Sequence, residues 1–203
     1  MQFLALCAAL AVFALLLYRL RRFLSGAPRV AIDSVRPGWV EVAGQVKGLQ
    51  RDAGALCRAP ISGREAVAWR VLIEQETGVR GWEPVVDLRD GVDFELDDGS
   101  GRIRVCAASS PLSLDVGERR GKGGPFAPPP AIVEQLIARH RNPHGVLFHK
   151  GFRWREWVIE DGRRVRVNGW VKAVPGDRAV GYRRVDDELV LAGADNRPLE
   201  VID

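Results

Sequence analysis

Residues suited to redox and metal chemistry are scarce in this chain. It has only three cysteines and three histidines in 203 residues, and no C-x-x-C pair, which removes the common zinc frameworks and the dithiol redox motif. Cys7 falls in an apolar run, and Cys57 and Cys106 are expected as free, mostly buried thiols. His140, His144 and His149 lie within ten residues, but among many arginines and near only two acids, Glu134 and Glu156. That setting opposes a cation, so no metal site is expected. The glycines of "GERRGKGG" lack the spacing and the Ser or Thr of a phosphate loop. The acids Asp87, Asp90, Asp93, Glu95, Asp97 and Asp98 do not follow the order of a calcium loop and read as turn and strand-face residues. No Ser-His-Asp, Cys-His or paired-acid arrangement stands out. Neither a catalytic residue nor a cofactor is expected.

Charge is absent from residues 1–18, "MQFLALCAALAVFALLLY". At about 1.5 Å per residue a helix of that length covers roughly 27 Å of hydrocarbon. Arg19, Arg21 and Arg22 follow the run, whereas a signal peptide would carry its charges before it. Residues 1–22 are therefore expected as a single-pass anchor with its basic flank, the N-terminus outside and the rest cytoplasmic. The three arginines would meet anionic headgroups.

The net charge of +4 is not spread evenly. Residues 23–118 hold 11 basic and 15 acidic side chains, 119–166 hold 11 and 4, and 167–203 hold 5 and 7. Only the middle stretch is positive, and within it "KGFRWREWVIEDGRR" interleaves aromatics with arginines. Strand alternation would turn Phe152 and Trp154 inward and Arg153 and Arg155 outward. Arg153, Arg155, Arg163 and Arg164 are the candidate binding residues, on a basic outward face.

Residues 23–37 read as a Gly- and Pro-punctuated linker. Short alternating segments follow, with turn chemistry at Ser62-Gly63, Asp97-Asp98-Gly99, Asp161-Gly162 and Pro175-Gly176. "AVAWRVLIEQE" is longer and more apolar, as a central strand would be. Residues 109–130 are too rich in Gly and Pro for a regular element and are expected as a flexible loop. "AIVEQLIARHR", residues 131–141, is the one soluble helix, with Ile132, Val133, Leu136 and Ile137 as its apolar stripe. Further strands complete the domain over 175–203. The expected fold is mainly β, a small barrel or OB-like β-domain, or two β subdomains, with one soluble helix and an N-terminal transmembrane helix. The chain also writes V-x-V-x-G-x-V-K twice, at 40–47 and 165–172. Each glycine falls where a strand of a small barrel bends sharply. A shared structural role, an internal duplication and chance are all open.

Across residues 38–174 the ordered pieces "VEVAGQVKG", "CRAPISGREAVAWRVLIEQE", "DFELDDGSGRIRVCA" and "FRWREWVIEDGRRVRVNGWVKAV" resemble the GIDE domain, also called BAM for "beside a membrane". The matching positions are Gly44, Pro60, Ser62, Gly63, Phe94, Asp97, Gly101 and Gly169. In mitochondrial ubiquitin ligases of that family the domain sits between two transmembrane helices, and a RING finger follows. A RING finger needs about eight Cys and His ligands, and the 31 residues after the second octapeptide hold neither residue type. The resemblance thus implies the fold and a place at a membrane, without the family's catalysis. The expected function is a membrane-anchored, non-catalytic binding or scaffold domain whose partners are membrane lipids and a protein or peptide. The alternatives are an E3 ubiquitin-protein ligase family member or pathway accessory, by association, and nucleic-acid binding through the basic strands. Nucleic acid is not the expected partner, and the sequence sets no oligomeric state.

Overall fold

The computed structural model describes residues 27–49, 56–77, 81–124, 126–140, 151–175, 188–194 and 196–203. The expected anchor with Arg19, Arg21 and Arg22, the histidines His144 and His149, and the strand expected around 179–185 lie outside the described residues. Among those described, no helix is long and apolar enough to cross a membrane. Beside a single 3-10 turn at Ile32–Ser34, thirteen strands and one α-helix are described, and the fold is mainly β. They are β1 (Gly38–Gly48), β2 (Cys57–Arg58), β3 (Glu65–Ala66), β4 (Ala68–Thr77), β5 (Gly81–Gly91), β6 (Phe94–Asp97), β7 (Arg102–Val105), β8 (Leu112–Asp115), β9 (Arg119–Gly123), α1 (Ala131–His140), β10 (Phe152–Ile159), β11 (Arg164–Val174), β12 (Glu188–Ala192) and β13 (Leu199–Ile202).

Five strands close into a barrel. Along its first part β1 pairs antiparallel with β11, from Gly38↔Val171 to Gln45↔Arg164. Beyond Gln45 it pairs with β6. β6 turns at Asp98-Gly99 into β7, β7 runs parallel to β12, and β12 pairs antiparallel with β11, completing the ring. Alternate residues point inward. Val40, Val42 and Val46, Phe94 and Leu96, Ile103 and Val105, and Val165, Val167 and Val171 are buried in one core. On the same edge of β11, β13 takes Arg166–Asn168 and β12 takes Trp170–Val174, so β13 with its parallel partner β8 forms a flange beside the barrel.

The two octapeptides are neighbours in this ring. Val40 faces Gly169, Val42 faces Val167 and Gly44 faces Val165. Both strands send valines into the same core, and both glycines stand where a strand exchanges one partner for another. A Cβ at Gly44 would lie 2.9 Å from the Asp97 carbonyl oxygen, and one at Gly169 would lie 2.8 Å from Leu199 Cδ1. Repetition here meets the same two demands twice, alternation toward one core and room for a close crossing.

The second layer is the antiparallel sheet β5-β4-β10-β9, with β4 central as its apolar length suggests. Helix α1 lies on one side of it, placing Val133, Leu136 and Ile137 against Val71, Ile73, Val86 and Phe152. Each such side chain contributes about 1.5–3 kcal/mol by leaving water. The helix starts where the run of prolines stops, with Pro130 O accepting the first N–H groups of the helix from Val133 and Glu134.

Residues 109–130 are a correction to the expected flexible loop, since they contain β8 and β9. β8 buries Leu112 and Leu114 against the barrel core. β9, Arg-Arg-Gly-Lys-Gly, has no alternating pattern, and its strand conformation comes from pairing with β10 over Arg119–Gly123. A Cβ at Gly121 would stand 2.3 Å from Cζ2 of Trp154, so that glycine makes room for the ring.

Candidate basic binding face

One side of the four-stranded sheet is sealed by α1. By register the other side carries Arg120 and Lys122 of β9, Arg153, Arg155 and Trp157 of β10, Arg70, Leu72, Glu74 and Glu76 of β4, and Trp82, Asp87 and Arg89 of β5. Six of these are basic and three acidic, a surplus of three positive charges on one face.

Much of that charge is held in fixed geometry. Arg153 donates two hydrogen bonds to Glu74, from Nε to Oε2 at 2.7 Å and from Nη2 to Oε1 at 2.8 Å, and Arg155 Nη2 donates to Oε2 at 3.2 Å. This is the two-pronged pairing that orients a guanidinium best. Glu74 is buried. Hydrogen bonding from Arg153 holds its carboxyl below the usual carboxylate range, against the opposing effect of burial. Arg153 also lies over the Trp82 ring at 4.6 Å, and Trp157 is flanked by Arg155 at 5.3 Å and Arg70 at 5.4 Å. Arg70 in turn makes a double bond-pair with Asp87, both contacts at 2.9 Å. A continuous ladder of guanidinium, ring and carboxylate results. Among the described residues Arg120 pairs with Glu118, two positions before it, at 2.7 Å, and Lys122 makes no ion pair.

The four arginines singled out from the sequence separate into two pairs. Arg153 and Arg155 share this face. Arg163 sits in the turn after β10 and bonds Asp203 at 2.7 Å, while Arg164 opens β11 in the barrel. Of the face's residues, the sequence reading named only Arg153 and Arg155 as binding candidates; Glu74, Trp82, Arg120 and Lys122 are among those it left out. Arg120 and Lys122 fell in the expected loop. Glu74 is joined to Arg153 by a strand pairing 79 residues long in sequence, which no local pattern encodes.

The positions that carried the sequence resemblance have structural settings of their own. Glu156, fully buried, accepts hydrogen bonds from the backbone N–H groups of Ile61 (2.8 Å) and Ser62 (3.1 and 3.2 Å), fastening the turn that holds Pro60, Ser62 and Gly63. Gly63 has φ +69°, the left-handed region that favours glycine. Phe94 is fully buried in the barrel. Asp97 accepts from Lys47 at 2.6 Å, from Arg102 and from the Gly99 N–H, and these bonds, Lys47 first, bring its carboxyl down to about 2. At Gly101 a Cβ would reach 3.2 Å from Ile32 Cγ2.

Cys57 and Cys106 are free thiols. Burial first, and Asp90 second, push the Cys57 thiol up to about 11. Its Sγ donates to the Ala66 carbonyl at 3.0 Å. His140 ends α1, and among the described residues no group of three His, Cys, Asp or Glu is placed to hold a metal ion. Another recess, lined by Ile32, Val35, Glu95, Arg102, Arg104 and Glu188, lies across β6, β7 and β12, and its opposite charges sit close together, Arg104 and Glu188 at 3.5 Å.

Chemically the basic face can hold anions by paired donors, and it is poorly suited to stacking bases. Base recognition by aromatics needs an open ring face, whereas Trp82 is covered by Arg153 and Trp157 is buried in the barrel-side core with Arg70 and Arg155 near its ring. No family model, curated protein or solved structure matches the chain.

Proposed function

We propose that the chain is a membrane-anchored, non-catalytic binding domain whose sheet face recognises an anionic partner at the cytoplasmic surface, a lipid headgroup or an acidic protein segment. The observation that carries this reading is the ladder built on Glu74. One buried carboxylate fixes Arg153 and Arg155, while Arg120 and Lys122 extend the positive field to β9, the outermost strand of the sheet among the described residues. Pre-oriented donors lose less side-chain freedom when an anion arrives. The apolar run 1–18 with its trailing arginines supports the membrane placement.

The closed order β1-β6-β7-β12-β11, with β7 and β12 parallel, is that of an OB-like barrel, whose second and third strands and loops serve as a ligand platform in other proteins. Here the turn between the corresponding strands β6 and β7 is already engaged, since the Ile32 N–H bonds Asp98 and the Asp33 N–H bonds Ser100. That occupancy favours the four-stranded sheet as the binding surface.

The test uses the full chain in membranes. Alkaline carbonate should fail to extract it, and Arg120→Glu with Lys122→Glu should remove a salt-sensitive association with anionic ligands that Arg163→Glu with Arg164→Glu leaves largely intact. Extraction by carbonate would defeat the anchor. Equal losses in both double variants would defeat the face.

A further inference from the structure

Phe126 is fully exposed. The residues on either side of it are tied together, because Gly124 and Ala127 bond each other in both directions, N–H to carbonyl, at 2.7 and 3.2 Å. The chain leaving the turn is packed back on β9, with Pro129 occupying the space a Cβ of Gly123 would need, 2.7 Å away. Phe126 is thus flanked by fixed structure on both sides. Behind it on β9 come Lys122 and Arg120, and register sets Arg153 beside Lys122 and Arg155 beside Arg120.

An apolar ring ahead of paired rows of cations is the arrangement that suits a bilayer surface. The ring enters the boundary between headgroups and acyl chains, and the cations remain at the phosphates. A protein partner would need to supply a pocket for a single protruding side chain. A fluid leaflet needs no preformed pocket. The leaflet is also near: residues 19–26 separate the apolar run from Ala27 and span at most about 28 Å when extended.

We infer that the Phe126 turn inserts into an anionic leaflet, with Arg120, Lys122, Arg153 and Arg155 on the lipid phosphates, so that the domain lies down on the membrane that carries its anchor. This rests on the proposed anionic-face reading and names its partner as anionic phospholipid.

The experiment places the full chain in nanodiscs of phosphatidylcholine alone or of phosphatidylcholine with phosphatidylglycerol, and follows amide hydrogen exchange over residues 119–127. Exchange should slow in the anionic discs only. Phe126→Ala should weaken that protection about tenfold, and Arg120→Gln or Lys122→Gln about fivefold each. Arg164→Gln should leave it unchanged. Retention in neutral discs reports the anchor by itself. If the chain is not retained, flotation with anionic vesicles reads the same contact, and failure to float overturns the inference. Equal exchange in both discs would overturn it too, as would protection elicited by an oligonucleotide and not by lipid.

Discussion

At Gly44 a Cβ would stand 2.9 Å from the Asp97 carbonyl oxygen and 3.0 Å from its carbon. Backbone of a paired strand cannot swing aside as a side-chain end can, so relief requires parting β1 from β6. Gly44→Ala should therefore cost about 1–3 kcal/mol, measured by urea unfolding of the full chain in detergent. A change within experimental error would show that the crossing has slack. At Cys57 the consequence is chemical. With its thiol raised to about 11, about one molecule in a thousand is thiolate at pH 8, and only the thiolate attacks an alkylating reagent. Iodoacetamide labelling mapped by mass spectrometry should be about a hundredfold slower at Cys57 in the folded chain than in urea. Equal rates would mean that burial does not govern this thiol.

Among the elements, the β2–β3 hairpin depends on a residue far from it in sequence. Its two strands are two residues each, too short to stand alone, and the turn between them gives two N–H groups to the Glu156 carboxylate on β10. Glu156→Gln can keep one oxygen on both N–H groups, as Oε1 does now, but it removes the charge and puts an NH₂ where Oε2 accepts from Ser62. The expected loss is about 1–2 kcal/mol, with faster hydrogen exchange concentrated at residues 59–66. Uniform loss over the whole chain would contradict the local role. The same strand explains why β10 mixes signs. Even positions Trp154 and Glu156 look toward the helix and the turn, and odd positions Arg153 and Arg155 look toward Glu74.

For the molecule as a whole, the strands that alternate clearly were readable in the sequence. Val40, Val42 and Val46 announced β1, Ile103 and Val105 announced β7, and the stripe Val133, Leu136 and Ile137 announced the helix. What stayed hidden depends on pairing across long distances. β9 has neither alternation nor β-branched residues, and Glu74 reads as an ordinary exposed strand acid until β10 is laid beside it. Of the cations toward the β9 end of the basic face, Arg153 and Arg155 could be placed from a patterned strand, whereas Arg120 and Lys122 sit on an unpatterned one. Closure of the ring is also a whole-molecule property. Removing residues 188–203 deletes β12 and β13, leaving unpaired edges on β7, β8 and β11. That truncated chain should form soluble aggregates in size-exclusion chromatography, because open strand edges recruit one another. A monodisperse, cooperatively unfolding product would show that the barrel survives with a gap.

The pairing of the two valine-rich octapeptides also sets an order of events during synthesis. Val40 leaves the ribosome long before its neighbour Gly169. At about 5–20 residues per second the first strand waits roughly 6–25 s for the strand that covers it. Throughout that interval its valines have no native partner on that side, and a nascent chain would need a chaperone, or a transient non-native contact, to shield them.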